Sequence, residues 1–375
     1  METSSPPPAG VNTEESPSGD SQHIVETSSS TPVDANPPGF PSETGLYPNQ
    51  RYLCQREEYR AMIQHHYTRY NTHSPGVASP DNVKMQSSLL WTQVYNWAEV
   101  WGDDAAPLPR LSAADKREII ATLDGYCVQE DWDRIRLHLP PTARASMGKI
   151  LLEAMINQFI CVKFIDNPFW FMDAKINATD RDGDANFHKR FQYIYERLKA
   201  IEPMDAAWWK TLLVQRCNER GSLITQPPPT KLSQDTAAHR TARLKAYGDE
   251  LLERRGFRLL LKDEQDKTQR AQRDEGLRNL LEFAAQQILH ADGGLYANLV
   301  VDRLRDLPPT FKHGSDSMTS HLLHAEAEPA DGGRILIVTH PGITVTDRQS
   351  ISHWNGLDPW RVTVAEVVVA GQSKP

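Results

Sequence analysis

The sequence predicts a mainly α protein: a multi-helix globular body, a small C-terminal β-hairpin and a disordered N-terminal tail. Three observations lead there. Apolar residues recur at helical spacing through most of residues 51–330. Two runs rich in β-branched residues, "RILIVTHPGITV" and "RVTVAEVVVA", stand near the C-terminus. Residues 1–50 hold nine Pro, nine Ser, five Thr and seven acids without one Lys or Arg. Such a segment cannot bury enough apolar surface to offset the entropy of ordering.

The elements follow in chain order. Leu90, Val94, Trp97, Ala98 and Trp101 share one helical face, and Gly102 ends that helix. Ser112, with Asp115 three residues on, predicts a capped start for a helix whose apolar face is Ile119, Ile120 and Leu123. Residues 150–172 are apolar enough to raise a membrane span, yet they carry Glu153, Lys163 and Asp166. Each charge near a membrane centre costs about 2.5 to 3.5 kcal/mol, so a buried core helix is the better reading. Phe187, Phe191, Ile194, Tyr195, Leu198 and Ile201 predict an amphipathic helix ending before Pro203, and Asp205 opens the next one. The Pro-rich "TQPPPT" breaks the chain. Beyond it, Leu244, Tyr247, Leu251 and Leu252, then Leu277, Leu280, Leu281, Ala284 and Ile288, mark two more helices. Between them "KDEQDKTQRAQRDE" lacks any large apolar side chain and reads as an exposed helical spur or a flexible connection.

The expected organisation is therefore a tail (1–50), a helical domain (51–222), a linker (223–230), a second helical region (231–330) and a β-hairpin (331–375) packed on the helices. A lone two-stranded ribbon is marginal in water. It must pack on the body or find a partner edge, which makes a homo-oligomer through these strands one expectation.

Charge and motifs exclude several function classes. All 41 Lys and Arg lie after residue 50 and face 42 of the 49 acids there, so the body is nearly neutral. No strong nucleic-acid signal results. No apolar leader opens the chain, which points to the cytoplasm or nucleus. The four Cys, at 54, 127, 161 and 217, form no CxxC pair and read as reduced thiols. There is no GxSxG elbow, GxxxxGK[ST] loop or GxGxxG turn.

Three places in the chain approach metal-ligand spacing. Asp180, Asp182 and Asp184 alternate as in an EF-hand loop, but Ala185 stands where Gly is needed and Phe191 where the bidentate Glu is needed. They read as a polar turn in which Asp184 or Asn186 caps the next helix. Asp103 and Asp104 suggest the diphosphate-binding carboxylates of terpene cyclases, yet Ala106 and Pro107 follow in place of a third carboxylate. His313, His321 and His324 lack the HExxH pattern and an adjacent Glu base. The sequence thus predicts no metal and no cofactor, and the catalytic residues are unknown. Phe164, Phe169, Trp170 and Phe171, around Pro168, are either core or the lining of a ligand pocket. Ser5, Ser16 and Thr31 each precede Pro and are candidate phosphorylation sites.

The stretches "REIIATLDGYCVQEDWDRIRLHLPP", "DNPFWFMD", "LPPTFKHGSDSMTSH" and "LIVTHPGITV" resemble a widespread group of helical proteins of filamentous fungi with no assigned function. The likeness spans about residues 50–370, implies a shared fold and fungal biology, and transfers no catalytic residue. The functional expectation is a non-enzymatic protein-interaction or regulatory module with an unidentified protein partner. The alternative is an enzyme or small-molecule binder of fungal metabolism with an aromatic pocket.

Overall fold

Helical periodicity becomes helix almost everywhere it was expected. The computed structural model describes residues 80–104, 111–173, 175, 177, 179–180, 183–184, 186–218, 230–324, 331–347 and 359–371. All of these belong to one compact unit. The expected tail at 1–50, including Ser5, Ser16 and Thr31, lies outside the described residues, as does the linker apart from Thr230.

Helix α1 (Pro80–Trp101) buries Leu90, Trp91, Val94, Trp97 and Ala98 and stops at Gly102. Helix α2 (Ala113–Thr122) starts on the expected capping box: Ser112 Oγ accepts the Asp115 N–H, and the Asp115 carboxylate accepts the Ser112 N–H. Two short helices follow, α3 (Trp132–His138) and α4 (Pro141–Ala145). Helix α5 (Met147–Ile160) is apolar and buried on nearly every side, as a helix without a polar face must be. It continues into a π-helical turn at Cys161–Ile165 and ends before Pro168. Gly148 lets the chain that leaves α1 approach α5 closely, because a Cβ there would stand 2.5 Å from the Asp103 carbonyl oxygen. Among the described residues, no helix is long and apolar enough to cross a membrane.

Helices α6 (Phe187–Ile201), α7 (Pro203–Asn218), α8 (Lys231–Glu253), α9 (Arg255–Leu259) and α10 (Lys267–Gly294) complete the body. Helix α7 packs on α6, α8 and α10, and α10 also lies along α1. Of the expected inner face of α6, Tyr195 is buried and Phe187, Phe191 and Leu198 are partly so. Ile194 and Ile201 are instead 58% and 77% exposed. They continue the periodic pattern, but α6 meets its neighbours along a strip too narrow to cover them. The "KDEQDKTQRAQRDE" stretch forms a loop and then the mostly exposed first turns of α10, so it is a helical spur. After Gly294 the chain reverses at Tyr296, whose φ of 50° is left-handed.

Six short strands follow among the described residues: β1 (Asn298–Asp302), β2 (Met318–Ser320), β3 (Ile335–His340), β4 (Gly342–Thr346), β5 (Trp360–Thr363) and β6 (Ala365–Val369). The two β-branched runs do pair antiparallel. Each is bent, so that β4 pairs with β5 and β3 with β6. The break falls at Pro341, which has no N–H to give a ladder. Strand β1 adds antiparallel to β4, and β2 adds parallel to β6, giving two three-stranded sheets. Every residue of β3 is buried, and this strand packs on α5.

Candidate functional site

The aromatic residues singled out by sequence are core. Phe164, Phe169, Trp170 and Phe171 are all fully buried. Phe164 and Trp170 stand 5.0 Å apart and both pack against Tyr247. Phe169 belongs to a separate cluster with Phe191, Tyr195 and Trp209. Their faces are occupied by one another. A crevice elsewhere, lined by Val83, Leu90, Trp91, Ile288, Ile343 and Val362 among others, presents no titratable side chain.

The carboxylates weighed from sequence serve turns and ion pairs. Asp180 accepts the Gly183 N–H, while Asp184 accepts the Asn186 N–H and pairs with Arg190. Asp182 lies outside the described residues. Asp104 pairs with Lys149 at 2.7 Å. The three histidines separate: His313 is exposed against Asp331, and buried His324 accepts the Val369 N–H through Nε2.

His321 is brought to a different set of partners. Helix α5 aims Glu153 at the seam of β3 and β6, where His340 and Glu366 face each other across the ladder. His321 follows β2 and is held by its own N–H donating to Val367 O. The four side chains close a ring. His340 lies 2.6 Å from Glu153 through Nε2 and 3.4 Å from Glu366 through Nδ1. The other oxygen of each carboxylate faces His321 Nε2, at 3.3 Å from Glu153 and 3.5 Å from Glu366. Side-chain exposure is 2% for Glu153, 1% for His321, 10% for His340 and 17% for Glu366, so the ring meets solvent only on the Glu366 and His340 side. Trp91 stacks on His340 with the rings 5.6 Å apart, and the Tyr95 ring lies 6.1 Å from His321. One turn beyond Glu153, Asn157 donates to Thr339 O and fastens the same helix to the same strand.

Physical chemistry assigns the protons. Burial alone would raise the Glu153 pKa. The His340 charge first, and then the hydrogen bond with His321, outweigh it and hold the carboxyl well below its usual range. Burial alone would lower the His340 pKa, and Glu153 and Glu366 raise it well above the imidazole range. With a carboxylate at each nitrogen, His340 is the imidazolium. His321 differs, because its Nδ1 accepts the Leu323 N–H at 3.1 Å; its proton is therefore on Nε2, and the ring is neutral. Tyr95, beside the ring, has its pKa raised by burial first and then by Glu99 and Glu153.

Glu153, His321 and Glu366 offer ligand atoms within 4.8 Å of one another, the spacing of a metal centre. One feature opposes that use. A metal-bound imidazole nearly always donates from its second nitrogen, whereas His321 accepts there. Moving the proton from Nε2 to Nδ1 would strand the Leu323 N–H at a cost of about 1–3 kcal/mol. Structural zinc in small domains contributes about 10–16 kcal/mol. The Leu323 bond thus fixes the metal-free tautomer without barring a metal.

A second buried polar group lies between α7 and α10. Lys210 and Asp292, each 3% exposed, pair at 2.5 Å, and Thr211 donates to Asp292 O. Tyr195 donates to Asn298, which donates to Asp347. The helices that the Lys210–Asp292 pair joins, α7 and α10, already pack together.

The sequence matches no protein-family model, and neither a curated protein nor a solved structure is significantly similar to it.

Proposed function

We propose that the chain is a non-enzymatic protein-interaction or regulatory module in which the buried ring of Glu153, His340, Glu366 and His321 is a latch between the helical body and the bent β-ribbon. The observation that carries this reading is the closure of the ring. A general acid or base must reach a proton of its substrate, yet here each carboxylate gives one oxygen to each imidazole. Exposed Ile194 and Ile201, seven residues apart on α6, offer apolar surface of the kind partners use. The resemblance to a fungal group supports a fungal host for the test. The full-length chain, purified from such a host, is examined by native mass spectrometry. The expected spectrum shows the chain, with or without one metal ion, alone or with a protein in defined stoichiometry. A stoichiometric organic adduct would overturn the reading and favour an enzyme or small-molecule binder.

A further inference from the structure

Three ligand atoms of the ring, one each from Glu153, His321 and Glu366, converge on a defined place. Glu153 and Glu366 each use one oxygen on His340 and turn the other toward His321 Nε2, at 3.3 and 3.5 Å. For a tetrahedral ion with ligand distances of about 2.0 to 2.2 Å, ligand atoms stand about 3.4 Å apart. We propose that Glu153, His321 and Glu366 form a site for one divalent transition-metal ion, with His340 as the positioning residue that orients both carboxylates. The proposal deepens the latch reading and rests on it, naming the ligand that sets the latch.

Five features support it. The donors, one imidazole and two carboxylates, suit zinc, iron(II) or manganese better than calcium, which takes oxygen ligands alone. The three ligands come from α5, from the turn after β2 and from β6, so an ion would tie together segments far apart in sequence. Three protein ligands leave at least one coordination position for water or a partner's side chain. Glu366, at 17% exposure, provides the route in from solvent. His340 plays the part that outer partners commonly play at metal sites, holding the unused oxygen of each ligating carboxylate.

Binding has a signature that follows from the hydrogen bonds. When Nε2 of His321 takes the metal, its proton leaves and Nδ1 takes one up, so the ring stays neutral while the tautomer inverts. The Leu323 N–H must then release Nδ1.

The test uses the full-length chain stripped with a chelator and titrated with zinc chloride. Calorimetry gives stoichiometry, and long-range proton–nitrogen spectra of the histidine rings give the tautomer. The expected result is saturation at one equivalent, with His321 converting from the Nε2–H to the Nδ1–H form. His321→Asn and Glu366→Gln are each expected to weaken binding at least tenfold, while His313→Ala, at an exposed histidine outside the ring, leaves it unchanged. Absence of saturable binding, or saturation with the His321 tautomer unmoved, would overturn the proposal. The tautomer is read on the unmutated protein, so the test survives a variant that fails to fold. Lack of zinc binding would leave the latch itself standing, because the latch is tested on metal-free protein by the substitution developed next.

Discussion

Replacing Glu153 by Gln removes one negative charge from the centre of the ring while nearly keeping shape. In the metal-free protein His340 then keeps only Glu366, at 3.4 Å, and loses the 2.6 Å contact to Glu153. The new amide cannot accept as strongly from His321. Glu153 is 2% exposed and His321 1%, so solvent does not repair the loss. Removing one partner of a buried pair costs about 3–5 kcal/mol, because the other charge stays buried without compensation. At roughly 2–4 °C per kcal/mol for a domain of a few hundred residues, Tm is expected to fall by roughly 6–20 °C. The assay is thermal and urea unfolding of the full-length chain with chelator present. A double-mutant cycle with His340→Gln should return a coupling of about 1–3 kcal/mol. A single-variant cost below about 1 kcal/mol, the level of an exposed ion pair, would refute the reasoning.

Lys210→Met strands Asp292, whose pKa burial already raises against the opposing Lys210 charge; the expected cost is about 3–5 kcal/mol, and urea midpoints should show that adding Asp292→Leu recovers much of it. Gly148→Ala places a Cβ against the Asp103 carbonyl and should cost about 1–3 kcal/mol by overpacking, measured as the same midpoint shift. Cys127 and Cys161 are buried, and burial foremost pushes both thiols up to about 12; thiol reagents at pH 8 should label them only after unfolding, as mass spectrometry of the labelled peptides will show. Glu250 sits between Lys163 and Arg254, whose hydrogen bonds and charges overcome burial and lower its pKa. A depressed folded pKa contributes stability above the unfolded value of about 4.3 and loses it as pH falls. The Glu250 carboxyl carbon should therefore titrate below the unfolded value in NMR, and a midpoint at or above that value would contradict the assignment.

Much of the helical body was legible because periodicity, caps and breakers agreed. Ser112 and Asp115 form their box, Gly102 stops α1, and Pro203 separates α6 from α7. Strands β1 and β2 were not legible, since they are short and exist through pairing with β4 and β6, which no local pattern encodes. The bend at Pro341 lay inside a run read as one strand. Ile194 and Ile201 satisfied the period but not the packing, because amphipathicity tells which residues share a face and not how wide the contact is. The ring was missed for a different reason. Its members are spread from residue 153 to residue 366 and meet only through tertiary structure. A signal was nonetheless present. Glu153 stands inside an apolar helix, and His340 and Glu366 stand inside β-branched runs, so each is an ionisable group where burial demands a partner.

The most direct test of the latch is native-state hydrogen exchange on the metal-free full-length chain, comparing the natural sequence with Glu153→Gln. If the ring ties α5 to the β3–β6 seam, amides of α5, β3 and β6 should lose protection together, while those of α8 and the far end of α10 keep theirs. Loss spread evenly over all helices and strands, or no loss at β3 and β6, would contradict the account.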